Sequence, residues 1–141
     1  AIPPVQGDQS SPVSARVSGK TYTVDSNELA IETVALDFAG DGCTLRVASA
    51  TGEHRFTAGS GVWQEGRTSL FNPPVSVNSQ SIAVSGAWTA VHAYTMVVRL
   101  IETPFTHTLV FRFDGDRLTL ESTVNVSFEP IRTLVLTAHL A

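Results

Sequence analysis

The feature of this sequence that most limits its fold is an apolar–polar alternation of period two, interrupted every few residues by a turn signal. It recurs over residues 17–24, 31–38, 43–47, 53–58, 61–65, 68–71, 81–84, 87–92, 94–102, 105–113, 117–124 and 133–139. Between these runs stand Asp25-Ser26-Asn27, Gly40-Asp41-Gly42, Ala50-Thr51-Gly52, Asn72-Pro73-Pro74 and Asp114-Gly115-Asp116. A period of two sends alternate side chains to opposite faces of a strand. No segment of ten residues or more has a helical period, and residues 28–32 hold one helical turn at most. The chain is therefore expected to be all-β. Consecutive hairpins favour an up-and-down order, and closing some ten strands on themselves removes the exposed edges. The predicted fold is a single antiparallel β-barrel of about 8–10 strands.

The last third can be threaded in register. Asp114-Gly115 reads as a two-residue hairpin turn, because both residue types tolerate positive φ. Closing there pairs Phe113 with Asp116, Phe111 with Leu118, Leu109 with Leu120 and His107 with Ser122. A turn at Thr103-Pro104 pairs Glu102 with Phe105, Leu100 with His107, Val98 with Leu109, Met96 with Phe111 and Tyr94 with Phe113. Both turns put the apolar residues on one face, as a single sheet requires.

At 141 residues the chain suits one domain. Residues 1–15, rich in Pro, Ser, Gln and Gly, read as a flexible arm or linker, leaving 16–141 for the barrel. The formal net charge is −4, and the nine Lys and Arg residues are scattered, so no basic stripe serves nucleic acid or an anionic membrane. No apolar run reaches the ~18 residues of a membrane span. Cys43 is the single cysteine and sits within an alternating run, as a buried small hydrophobe would. The compartment is left open between cytoplasm and export.

A search for chemistry finds no complete centre. Gly19-Lys20-Thr21 lacks the first glycine of a phosphate loop, since Ser14 occupies that position. Gly59-Ser60-Gly61 is preceded by Ala58 and followed by no helix, so it is not a nucleophile elbow. The one lysine, Lys20, has Val17 three residues before it and not serine. His54, His92, His107 and His139 stand at no metal-ligand spacing. The sharpest polar group is Glu102 with His107, one row apart on the apolar face beside Ser122. A carboxylate there could orient and charge the imidazole, although polar residues on an apolar face are usually hydrogen-bonded structure. No catalytic residue, cofactor or metal is assigned, and the chain is expected not to be an enzyme.

Gly61-Val62-Trp63 and Gly86-Ala87-Trp88 both spell the Gly-x-Trp tripeptide of lipocalin-type barrels, here in mid-chain. With Ser18-Gly19-Lys20-Thr21-Tyr22, Leu36-Asp37-Phe38, Glu102-Thr103-Pro104-Phe105 and Phe113-Asp114-Gly115-Asp116-Arg117-Leu118, they make residues 17–139 resemble a particular barrel domain. It is the lipocalin-like domain that follows the catalytic domain in some bacterial serine hydrolases of the β-lactamase and penicillin-binding type. The resemblance implies a non-catalytic accessory domain that shapes access to a hydrolase domain, its partner in the same or another chain. The alternative is a lipocalin-like carrier of a small apolar ligand. That reading expects a cavity lined by Tyr22, Trp63, Trp88, Met96, Phe111 and Phe113, with Glu102 and His107 as polar handles.

Overall fold

The computed structural model describes residues 3–27, 29–40, 42–50, 52–68, 80–101, 105–126 and 129–141. The alternating runs become ten strands: β1 Thr21–Val24, β2 Ile31–Ala39, β3 Gly42–Ser49, β4 Gly52–Ser60, β5 Gln64–Thr68, β6 Gln80–Ala90, β7 Ala93–Leu100, β8 Phe105–Asp114, β9 Arg117–Val126 and β10 Glu129–Leu140. A short helix, α1, spans Pro12–Val17. The strands form one sheet in the order β4-β3-β2-β1-β10-β9-β8-β7-β6-β5. It closes where β4 meets β6, so nine strands make the ring and β5 is an extra strand on β6. The expected lipocalin-like up-and-down barrel is present. Its neighbours are antiparallel except at the closure, where Gly59 pairs with Ser85 and Ser60 with Gly86 in parallel.

Register fixes which side chains point inward. Trp88 pairs with Tyr94, Tyr94 with Phe111, Phe111 with Leu120 and Leu120 with Leu136. Across the barrel, Val34 pairs with Val47, Leu36 with Leu45 and Phe38 with Cys43. These inner residues form one core cluster. Removing a side chain such as Phe111 or Leu36 fully from water contributes roughly 1.5–3 kcal/mol.

Both hairpins of the threaded segment differ from expectation by two residues. Phe113 pairs with Leu118 and Asp114 with Arg117, which leaves Gly115-Asp116 as the loop. Gly115 has φ +59° and Asp116 is not among the positive-φ residues. The turn thus asks for glycine at its first central position, as in type II′, and not for two left-handed residues. Likewise Tyr94 pairs with Phe111, Met96 with Leu109 and Val98 with His107. The Thr103-Pro104 turn lies outside the described residues. A slip of two preserves every face, so the inner wall is as expected even though the partners are not.

Where composition suggested a flexible arm, residues 3–17 lie against the barrel. Asp8 exchanges two backbone hydrogen bonds with Trp88. The Val5 N–H donates to Ser85 Oγ at 3.0 Å, and Ser11 Oγ–H donates to the Val91 carbonyl at 2.6 Å. Ser11 caps α1 by accepting from the Val13 N–H, with Pro12 at the first helical position. Val13 and Val17 are buried in the core cluster, so the helix covers one end of the barrel. That end is the floor. The opposite end, where β1, β3, β7 and β9 finish, is the mouth.

Candidate functional site

Two inner regions differ in burial. At the floor, Phe38, Trp88, Tyr94, Phe111 and Phe113 pack ring on ring, with Tyr22 beside Phe113. The Phe38–Trp88, Phe38–Tyr94 and Trp88–Tyr94 centroids are 5.1, 5.0 and 5.4 Å apart. Such tilted and edge-on aromatic pairs add to plain area burial. The Tyr94 hydroxyl is hydrogen-bonded to the Cys43 thiol, and burial pushes the pKa of both groups well up, so the thiol is not a nucleophile near neutral pH.

Toward the mouth, the inner faces of β8, β9 and β10 keep contact with solvent. Phe105 is 37% exposed, and His107, Ser122, Val124 and Leu134 are half-buried. They are contiguous by register: His107 pairs with Val124, and Ser122 sits between Leu109 and Leu134. Desolvation lowers the His107 pKa from 6.5 to about 4, so the imidazole is neutral near pH 7. The wall is therefore mostly apolar, with a hydroxyl and an uncharged imidazole as handles. Among the described residues no group of His, Cys, Asp and Glu could hold a metal ion.

The sequence-derived candidates fall into separate places. Tyr22, Trp88, Phe111 and Phe113 come together at the floor, in contact with Phe38 and Tyr94, which the sequence reading did not select. Met96 is fully buried between Gly86 and Leu109. His107 lies apart on the mouth-side wall. It is diagonal to Ser122 and not opposite it. Glu102 lies outside the described residues. Trp63 is on the outer surface, half-buried, with the Arg99 guanidinium 5.4 Å from its ring centroid. Its residue before β5 lies on the outward side of the strand's alternation, so it does not line the interior. Ser122, Val124 and Leu134 were legible as inner positions from alternation, but alternation says nothing about which end stays open.

No family model matches the chain, and no curated protein matches it. Solved structures do. A fatty-acid-binding protein from brain tissue of Drosophila melanogaster, in a structure without citrate inside, superposes with a TM-score of 0.63 at 15% identity, over 87% of this chain and 98% of that one. A Schistosoma mansoni fatty acid binding protein in complex with arachidonic acid gives 0.61 at 16%, over 86% and 94%. The fatty-acid-binding protein of Manduca sexta gives 0.58 at 15%, over 89% and 99%. The chain shares the closed-barrel fold of these proteins.

These matches overturn the hydrolase reading. The barrel corresponds to nearly the whole of proteins that are fatty-acid binders, not to an accessory domain of a β-lactamase-like enzyme, and a hydrolase partner has no support. The phrases behind that resemblance answer to local geometry. Gly115 supplies a positive φ to a hairpin, and Gly61 supplies one at φ +70° after β4. Gly86 leaves room for the Tyr94 ring. Such demands arise in many barrels.

Proposed function

We propose that this barrel binds a small apolar ligand in the mouth-side half of its interior and does no chemistry on it. The observation that carries the reading is the inner wall of Phe105, His107, Ser122, Val124 and Leu134. Its inward-facing residues keep solvent contact while the floor is packed tight. Binding sites of this kind are concave and mostly apolar, with a few polar groups that orient the ligand. The solved neighbours share the fold and are fatty-acid-binding proteins, one of them in complex with arachidonic acid, which supports a long-chain lipid as the first ligand to try.

The test is titration with a fluorescent fatty acid, beside a Val124→Trp variant that fills the wall. Saturable binding with a micromolar Kd is expected, weakened at least about tenfold (~1.4 kcal/mol) in the variant, with the ligand recovered chemically unchanged. A variant that melts like the parent yet binds equally well removes the wall from the site. A parent protein that binds no lipid probe ends the reading.

A further inference from the structure

One edge of β6 is divided among three partners. The edge facing away from β7 is taken by β5 along Gln80–Val84, by β4 at Ser85 and Gly86, and by Asp8 at Trp88. Asp8 and Trp88 exchange backbone hydrogen bonds of 3.0 and 2.8 Å. The chain leading to Asp8 crosses the outer face of β6. Ser85 and Ala87 point outward there, alternating with Val84, Gly86 and Trp88, yet they are only 0% and 2% exposed. Outward side chains of a barrel normally meet water, but the arm lies over these two. The Val5 N–H donates to Ser85 Oγ at 3.0 Å. Gly7 comes so close that a Cβ on it would stand 2.5 Å from the Trp88 carbonyl oxygen and 3.1 Å from Ala87 Cβ. A residue without a side chain is what permits that approach. Ser85 is thus held twice. Its backbone pairs with Gly59 in the closure of the ring, and its hydroxyl accepts from the arm.

We propose that residues 4–8 are a strap that keeps the β4–β6 closure shut, and that the barrel opens at this seam when the strap lifts. The closure itself is two parallel pairs, Gly59 with Ser85 and Ser60 with Gly86. Along β6 it is bordered by β5 on the mouth side and by the strap on the floor side. A ladder opens from its ends, where few bonds break together, so the closure peels from the floor end only after the strap has left. The strap is easily lifted. Gly7, Asp8, Gln9 and Ser10 are exposed, and what it covers is a serine and an alanine, which carry little apolar area. Lifting it uncovers the Ser85 hydroxyl to water, which replaces the bond from Val5, so no buried polar group is left orphaned. The opening of the seam is thereby set by a segment outside the ring.

The experiment is native-state hydrogen exchange followed by NMR on the full chain, with two substitutions confined to the strap. Gly7→Ala drives a methyl group against the Trp88 carbonyl. Val5→Pro deletes the N–H that Ser85 receives. Neither alters a residue of the barrel. In both variants the Trp88 amide, once released from the Asp8 carbonyl, reports that the strap has lifted, and the amides of Gly59 and Ser60 report the seam. Both reporters are expected to exchange about tenfold faster than in the parent, while amides of the β8–β9 ladder keep the parent's rate. Gly59 and Ser60 rates that stay unchanged while Trp88 speeds up overturn the proposal, since strap and seam then open separately. An unchanged Trp88 amide in both variants overturns it as well, because the strap is then not seated by these contacts. So does a rise shared equally by the β8–β9 amides, which would make the arm a prop for the whole barrel and not for the seam.

Discussion

A methyl group at position 86 would collide with the Tyr94 hydroxyl, whereas one at position 66 would meet only Ile82 Cγ1 at 3.9 Å, an ordinary contact. Both glycines lie in strand interiors, where glycine usually weakens the strand. The two substitutions should therefore part company. Gly86→Ala is expected to cost about 1–3 kcal/mol, as overpacking does, while Gly66→Ala is expected to be neutral or stabilising by up to about 1 kcal/mol. Urea melts of the two variants check this, and equal losses would mean that the Tyr94 ring does not sit over Gly86. His107 supplies a second residue-scale expectation. Its folded pKa is lowered from 6.5 to about 4. Between those values the unfolded chain takes up a proton that the folded chain refuses, so its contribution is whole above pH 6.5 and is lost as pH falls toward 4. Below that range nothing further is lost. Because the imidazole keeps solvent contact, screening reduces the effect to roughly 1–2 kcal/mol. His107→Gln should flatten the acid limb of stability against pH. An unchanged limb in urea midpoints measured across that range would assign it to other groups.

At the scale of elements, alternation revealed the faces and left the partners undetermined. Leu109, Phe111 and Phe113 point inward as the sequence pattern says, yet each pairs two residues away from the threaded position. The cause is physical: a period of two specifies a strand only modulo two residues. The turn settles the remainder, and Asp114-Gly115-Asp116 offers two adjacent loops that differ only in where glycine must take positive φ. Glycine misled in the other direction at β6. Residues 81–84 and 87–92 read as two strands around Ser85-Gly86, but β6 is continuous because Gly86 is a hole for Tyr94 and not a break. Helix α1 is six residues long, too short to show a period. Its signals were local, Ser11 as cap and Pro12 behind it, inside a segment whose composition speaks for a linker. The floor cluster was partly legible because large aromatics on an inner face mark a core. The separation of His107 from it was legible too, because His107 and Phe113 lie six residues apart on one strand, about 20 Å at ~3.3 Å per residue, whatever the partner's register.

For the molecule as a whole, closure is the weak step. Eight neighbouring pairs of the ring are antiparallel ladders, several of them running seven to ten pairs, such as β8 with β9 and β2 with β3. The ninth is the β4–β6 contact, two parallel pairs at Gly59 and Ser60. From there β5 turns back along β6, so β4 from Gly52 to Ala58 has β3 as its only strand partner among the described residues, and β5 has β6 alone. Each of these strands leaves one edge of its backbone outside any ladder, and local opening starts where few ladder bonds must break together. The barrel should therefore open at this seam without unfolding. Native-state hydrogen exchange tests it. Amides of β5, and those β4 amides that point away from β3, are expected to exchange at least about tenfold faster than the amides of β8, β9 and β10, a difference of ~1.4 kcal/mol in opening free energy. A bound lipid lying against the β8–β10 wall would slow exchange there and leave the seam fast. If β4 and β5 instead exchange as slowly as β9, the two-pair closure is not the weakest joint, and opening must pass through global unfolding.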